Sequence, residues 1–444
     1  MTKVSTFTFV DLFAGIGGFH GALSSIGGKC ILASEIDKHA ASVYERNWGV
    51  KPEGDIREFA KIDRVSLPRS DQKISVLTGG FPCQPFSKSG RQQGMNEERG
   101  TLFDNIMNLI NKRHPSVVVL ENVRNLAGPR HRHEFEYIIE QLRGAGYMVS
   151  SAPSIFSPHR IREEFGGRPQ IRERLFITAT YAPRKRNHDP GKLTLLPEVI
   201  KEDEQAWNIF DYLETIPYEN HVSQLTQEEL GWINTWELFL QSLRKRTGSK
   251  LPGFPLWSDE WIAASSEKSR MRRLKDLPDW KKSFLKSNWA FYDAHSQVID
   301  NWRRRTEIES FPTSRRKLEW QAQDANSLWE CAMHLRPSGI RVKKLTYLPA
   351  LVAMSQTSII GPLKRKLTPG EAARLQGLPD DFDFGDQPVS KTFHQLGNGV
   401  NVGVVQQVLR AHVLRDRDLL LKNEPGLVAA AERSNHKSNQ AKSK

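Results

Sequence analysis

The chain is 444 residues long, with 38% hydrophobic and 26% charged residues, which is ordinary for a soluble globular protein with room for two domains. No run of about 18 apolar residues occurs, which argues against a membrane span. The net charge of +13 makes a polyanion such as nucleic acid the expected partner, while three distant cysteines (Cys30, Cys83, Cys331) fit neither a disulfide framework nor a metal site. The opening stretch MTKVSTFTFVDLFAG has no basic segment followed by an apolar core, so an intracellular protein is expected.

From residue 6 to about 182 short apolar runs alternate with amphipathic segments. TFTFVDLF, KCILASEI, ISVLTGG, SVVVLENV, YMVSSAPSIF and RLFITATY read as strands. GGFHGALSSIG, DKHAASVYERNW, TLFDNIMNLINKR and HEFEYIIEQLRGAG read as helices between them. Strand and helix in turn predict a doubly wound α/β sheet, with ligands at the C-terminal ends of its strands. APRKRNHDPGK, from residue 182, is a polar linker. Beyond it the spacing is helical in LTQEELGWINTWELFLQSLRKR and DWKKSFLKSNWAFYDAHSQVIDNWRRR, and ten of the eleven tryptophans lie between Trp207 and Trp329. Those indoles predict the core of a distinct, largely helical domain. Four basic clusters interleave with them, at 244–246, 270–273, 303–305 and 315–317, and are expected to form a phosphate-contacting surface. YLPALVAM is strand-like again, KLTPGEAARLQGLP has a helix start at Thr368, and GNGVNVGVVQQVL is a Gly-rich turn leading into a helix. The polar C-terminal tail, from residue 421, is expected to be disordered.

Several positions invite chemistry. Gly15, Gly17 and Gly18 sit between the first strand and first helix, where glycine allows a tight turn and close approach to a ligand. Glu35 and Asp37 follow about twenty residues later, at the second strand end, where a carboxylate accepts ribose hydroxyls. Asp55 is a third strand-end carboxylate, suited to an adenine amino group. Cys83 lies in the loop GGFPCQPFSKSG, flanked by Pro82 and Pro85, with hydroxyls and a lysine after it; it is the candidate nucleophile. Glu121 ends an apolar strand where a carboxylate is costly, which points to a task. Alternation in RPQIRERLF predicts that Gln170, Arg172 and Arg174 share one strand face and line a pocket for a base or phosphate.

With DLFAGIGGF, SEIDKHA, PEGDI, GGFPCQPFSKSG, RGTLF, ENV, PQIRERLF, KLTPGEAARLQGLPDDF and QLGNGVNVGVV in this order, the chain resembles the prokaryotic type of DNA (cytosine-5) methyltransferase. The motifs cover nearly all of residues 7–181 and 345–410; GNGV departs from the family at Gly399, where many members have serine. The resemblance implies a Rossmann-like S-adenosylmethionine-dependent catalytic domain, residues 1–185 and 341–420, interrupted by a largely helical target-recognition domain, residues 186–340. It implies methyl transfer to C5 of a flipped-out cytosine in a specific duplex sequence. Cys83 would attack C6, Glu121 would hold N3, Arg174 would meet O2 and Arg172 would support the pocket. Cofactor contacts would come from Phe13, Ala14, Gly15, Gly17, Gly18, Glu35, Ile36, Asp55, Ile56, Pro82 and Asn398. Ser87, Arg99 and Gln170 would touch DNA. The expected setting is the cytoplasm of a prokaryote, near the nucleoid, as a monomer functionally paired with a restriction endonuclease.

Two other readings compete. A branch of the family methylates transfer RNA, against which the large insert favours duplex DNA. A DNA-binding relic without activity is opposed by the presence of Cys83, Glu121 and Arg174 together.

Overall fold

The computed structural model describes residues 6–60, 72–82, 102–202, 207–214, 223–248, 250–262, 267–351 and 357–433. The chain divides into two compact units: residues 1–206, 349–353 and 372–444 form one, and residues 207–348 and 354–371 the other.

The first unit begins with β1 (Phe7–Leu12), α1 (Gly18–Ser25), β2 (Gly28–Ser34), α2 (Lys38–Trp48), α3 (Ile56–Ala60), β3 (Val76–Gly80), α4 (Leu102–Arg113) and β4 (Val117–Val123). There follow α5 (Arg132–Gly144), β5 (Tyr147–Val149), β6 (Ser154–Phe156), β7 (Gln170–Ile171) and β8 (Arg174–Tyr181). Its seven-stranded sheet runs in the order β2-β1-β3-β4-β8-β5, with β6 also on β8. β1 to β4 pair in parallel, whereas β5, β6 and β8 join antiparallel.

Alternation along the strands separates two faces. Val10 and Leu12 of β1 and Leu175, Ile177 and Ala179 of β8 enter a core shared with Phe103, Ile106 and Ile110 of α4 and with Phe135, Ile138 and Leu142 of α5. The intervening residues face the other way. Phe9 meets His20 of α1 edge-on, and Thr180 Oγ1 lies 2.9 Å from Nε2 of His412. Helices therefore cover both sheet faces, as the doubly wound reading expects.

The second unit contains α6 (Gln227–Thr247), β9 (Leu256–Trp257), α7 (Ser258–Ile262), α8 (Glu267–Leu274), α9 (Asp279–Arg305), β10 (Lys317–Gln321), β11 (Cys331–Arg336) and β12 (Gly339–Lys344). β13 (Leu348–Pro349) follows, and β14 (Ile359–Ile360) and β15 (Arg365–Lys366) complete the strands. Thr226 and Glu229 form a reciprocal capping box at the start of α6, which Gly248 ends at φ 64°. Trp236, Trp261 and Trp302 are buried with Phe239 and Ile299, so these indoles are core residues. The helices expected from the sequence are accompanied by a six-stranded sheet, β15-β14-β11-β12-β10-β9. Its members are two to six residues long, too short for a reliable period-two signal.

After α10 (Pro369–Gln376) come α11 (Val389–Asn398), α12 (Val402–Arg415), α13 (Arg417–Leu420) and α14 (Pro425–Arg433). The expectation of disorder from residue 421 is corrected up to Arg433, because α14 buries Leu427, Val428, Ala430 and Ala431. Small alanines gave that face little apolar contrast. The rest of the tail lies outside the described residues. No described helix is long and apolar enough to cross a membrane.

Asp11 on β1 joins several elements of the first unit. Its carboxyl is fully buried, 3.1 Å from Thr78 Oγ1 of β3 and 3.5 Å from the Tyr44 hydroxyl of α2, and accepts from the His20 amide of α1. Burial pushes its pKa up to about 8. The folded state then keeps a proton that the unfolded chain releases above about pH 4, so this group's contribution to stability declines as pH rises towards 8. Asp11→Asn is expected to remove that decline, on the order of 1 kcal/mol per pH unit at its steepest. Urea melts of both proteins from pH 5 to pH 8 check this, and parallel curves would contradict the assignment.

Candidate active site

A cavity of about 450 Å³ opens in the first unit where β1, β2, β3 and β4 end. Its position follows from the topology, since parallel strands deliver their C-terminal residues to one edge. The loop after β1 contributes Phe13, Ala14 and Gly15, and α1 begins with Gly18; β2 leads into Glu35 and Ile36; β3 leads into Phe81 and Pro82; β4 brings Glu121, Asn122 and Val123. Arg174 opens β8 beside them, and the end of α11 supplies His394, Gln395, Gly397 and Asn398.

The loop after β1 is tightly shaped. Phe13 has φ 54°, an uncommon conformation for a residue with a side chain, and Gly15 and Gly17 also have positive φ. The Gly15 amide donates to Oε2 of Glu35 at 2.8 Å, and the Asp37 amide donates to Oε1 at 2.8 Å. Glu35 is thereby held at the cavity wall with one amide on each oxygen. Burial raises its pKa, and these backbone donors oppose the rise. Ile36 beside it leaves 65% of its surface open, an apolar side chain waiting at the rim.

Gly17 serves packing more than ligand approach. A Cβ there would come within 2.0 Å of Trp48 Nε1, and Gly17 is not among the cavity-lining residues. At Gly18 a Cβ would meet the Val400 carbonyl oxygen at 2.6 Å, so this glycine lets α1 approach the Gly-rich turn after α11.

Glu121 is 8% exposed and forms an ion pair with Nε of Arg174 at 3.0 Å. Burial raises its pKa; Arg174 and then Arg172 pull it back. The Asn122 amide group donates to the Phe81 carbonyl at 2.9 Å, fastening the end of β4 to the segment that leads to Cys83. Arg172 is wholly buried. Its guanidinium donates to the carbonyls of Leu351 at 3.0 Å and Gly397 at 2.7 Å, and also to that of Gly399. It grips the chain on both sides of Asn398, and burial lowers its pKa to about 9.

Several expectations are corrected. Gln170, Arg172 and Arg174 do not share one strand face, because β7 ends at Ile171 and β8 begins at Arg174. Gln170 is fully buried, which removes it from any exposed DNA contact. Asp55 pairs with Arg57 and Ile56 belongs to the hydrophobic core; neither lines the cavity. Asp37 does line the cavity, as expected, and its Oδ1 also caps α2, accepting from the amides of His39 and Ala40 at 2.9 and 3.0 Å. Cys83, Ser87 and Arg99 lie outside the described residues. Sequence reasoning missed His394, Gln395, Phe81, Asn122 and Val123 as lining residues. Adjacency to the ENV, FPC and GNG motifs was the available signal for them.

A family model for C-5 cytosine-specific DNA methylases matches residues 7–413. The chain is 46% identical to the type II methyltransferase M.AluI of Cellulosimicrobium cellulans, over 95% of this chain and 94% of that protein. It is 40% identical to the type II methyltransferase M.HpaII of Haemophilus parainfluenzae, over 90% and 87% of the two chains. The fold is similar to that of a solved putative DNA modification methyltransferase encoded within an E. coli prophage, with TM-score 0.51 and 19% identity over 94% of this chain and all of that one. The chain therefore belongs to the family of C-5 cytosine-specific DNA methylases, which use S-adenosylmethionine.

Proposed function

We propose that the protein methylates C5 of a flipped-out cytosine in a specific duplex sequence, with Cys83 as nucleophile and Glu121 and Arg174 as the base-holding pair. The observation that carries the reading is the buried Glu121–Arg174 pair at 3.0 Å, lining the same cavity as Glu35 and Pro82, the residue before Cys83.

The cavity suits S-adenosylmethionine. Its volume lies in the range of ordinary cofactor sites. Each oxygen of Glu35 accepts one amide and keeps capacity for one ribose hydroxyl. Ile36 and Phe13 offer apolar surface to an adenine ring, and Asn398 offers polar groups to the amino-acid end. Bound there, the cofactor supplies an electrophilic methyl group on its sulfonium.

The chain's own residues prepare the base. A cytosine swung out of the duplex, at roughly a few kcal/mol, would be met by Arg174 at O2 and Glu121 at N3. Burial favours the protonated carboxyl of Glu121, so this group can donate to N3 and make C6 electrophilic. The Cys83 thiolate adds to C6, and the electron density released at C5 accepts the methyl group. Loss of the C5 proton to a base then breaks the Sγ–C6 bond and restores the aromatic ring. Arg172 acts at one remove, by fixing the carbonyls that flank Asn398.

Residues 1–185 with 341–420 act as the catalytic domain in this reading, and residues 186–340 select the target sequence. In this reading the enzyme acts as a monomer in the cytoplasm of a prokaryote, and the type II names of the relatives support functional pairing with a restriction endonuclease.

Cys83→Ser is expected to abolish methyl transfer, and a duplex carrying 5-fluorocytosine should trap the unaltered enzyme covalently when cofactor is present. Denaturing electrophoresis reads the adduct; a serine variant with full activity would remove Cys83 from the mechanism.

A second expectation concerns pH. Thiolate formation at Cys83 favours high pH, whereas a protonated Glu121 favours low pH, so single-turnover rates should follow a bell. Glu121→Gln should lower the rate by about 100-fold or more and remove the descending limb. An unchanged descending limb would assign that proton to another group.

A further inference from the structure

Part of the charge in the basic clusters of the second unit is answered from within. Arg244 donates to Asn326 Oδ1 at 3.0 Å and to the Ala325 carbonyl at 2.6 Å. Arg270 pairs with Asp293, Arg273 with Glu260, Arg303 with Glu309 and Arg316 with Asp259. Arg315 donates to the carbonyls of Arg336 and Leu335 and lies 5.1 Å above the Trp232 ring. The sequence expectation of four phosphate-contacting clusters is narrowed accordingly: Arg244, Arg270, Arg273, Arg303, Arg315 and Arg316 hold the unit together.

A different set of cations is not answered in this way. Leu318 and Trp320 of β10, Met333 and Leu335 of β11, and Ile340 and Val342 of β12 face the core shared with α6 and α9. Alternation then turns Glu319, Arg341, Lys343, His334 and Arg336 to the opposite face. The register places Arg341 between Glu319 on β10 and His334 on β11. Glu319 is the single carboxylate among these residues and pairs with Arg341 at 2.8 Å. Among the described residues, neither Arg336 nor Lys343 has an ion pair. Ala332 and Ile360 are buried on this face, whereas Arg336, Arg341 and Lys343 are half-buried and belong to no hydrophobic cluster.

The cations disturb one another. Burial first, then Arg341 and Arg336, lowers the pKa of Lys343. Burial first, then Arg336, Arg341 and Lys343, lowers that of His334 to about 4, with its Nε2 2.5 Å from Ser358 Oγ. Like charges crowded on a half-buried sheet raise the folding free energy, and a polyanion laid across them lowers it.

We propose that this sheet face, centred on Arg336, Arg341 and Lys343, is where the second unit grips the phosphates of duplex DNA. The proposal rests on the reading of the protein as a duplex DNA methyltransferase. Duplex DNA is the occupant that matches three neighbouring cations with one carboxylate among them, and phosphate neutralisation gives the contact a defined salt signature.

The full-length protein tests this. Dissociation constants for a duplex that the unaltered protein methylates, and for an unrelated duplex, are measured between 50 and 200 mM salt, conditions in which phosphate contacts are sensitive. Arg336→Gln combined with Lys343→Gln should weaken both duplexes by about tenfold at the lower salt and reduce the log–log salt slope by about 2. Arg336→Lys with Lys343→Arg should restore the slope. Lys245→Ala with Arg246→Ala, exposed at the end of α6, should leave it unchanged. Melting temperature and S-adenosylmethionine binding show whether the variants remain folded. A glutamine pair with unaltered affinity and slope would overturn the surface while leaving the function intact. An unaltered protein that methylates transfer RNA and ignores duplex DNA would overturn the reading beneath it.

Discussion

A guanidinium removed from water is costly unless its donors are met, and Arg172 meets this condition with backbone carbonyls. Three carbonyls, from Leu351, Gly397 and Gly399, accept from its two terminal nitrogens, while its Nε has no partner among the described residues. This arrangement ties the entrance to β8 to the turn after α11, segments more than 220 residues apart in the chain. The cavity wall at Asn398 exists because that turn is held. Gly18 completes the fit from the other side, since any side chain there would strike the Val400 carbonyl.

The same buried cation shapes the chemistry. Glu121 lies near two guanidiniums, of which only Arg174 makes an ion pair with it. Burial is nevertheless the largest influence on Glu121 and acts towards the neutral acid. Arg174 can therefore orient a carboxyl that burial makes readier to take up a proton, which a hydrogen-bond donor to a pyrimidine nitrogen requires. A fully solvated Glu–Arg pair would leave the glutamate charged and unable to donate.

Much of the site was legible because its residues sit where chain direction changes. Strand-end residues such as Glu35 and Glu121 stand out in sequence: a carboxylate after an apolar run has few structural uses. Side-chain engagement is not legible in this way. Asp55 occupies a position like that of Glu35, yet a neighbouring arginine two residues on claims it, and Ile56 turns into the core. The error at Gln170 to Arg174 came from reading one strand where the backbone makes two, the two-residue β7 and then β8 from Arg174, so the alternation did not carry across Arg172. In the fold, long amphipathic helices were clear, whereas the second unit's sheet was hidden by strands as short as two residues.

Charge shows the same division between local and non-local information. A net charge of +13 points to a polyanion as partner, but runs of arginine do not locate the contact. Helical arginines such as Arg244, Arg270 and Arg303 reach acceptors brought near by folding, and the resulting pairs stabilise the unit they came from. Arg336 and Lys343 are separated in sequence and inconspicuous there, and only cross-strand register brings them together with Arg341. Half-buried beside Arg341 and without carboxylate partners among the described residues, Arg336 and Lys343 have more to gain from an external anion than solvated cations such as Lys245 and Arg246. A binding surface is thus better sought in the residual charge of the folded unit than in the charge runs of its chain.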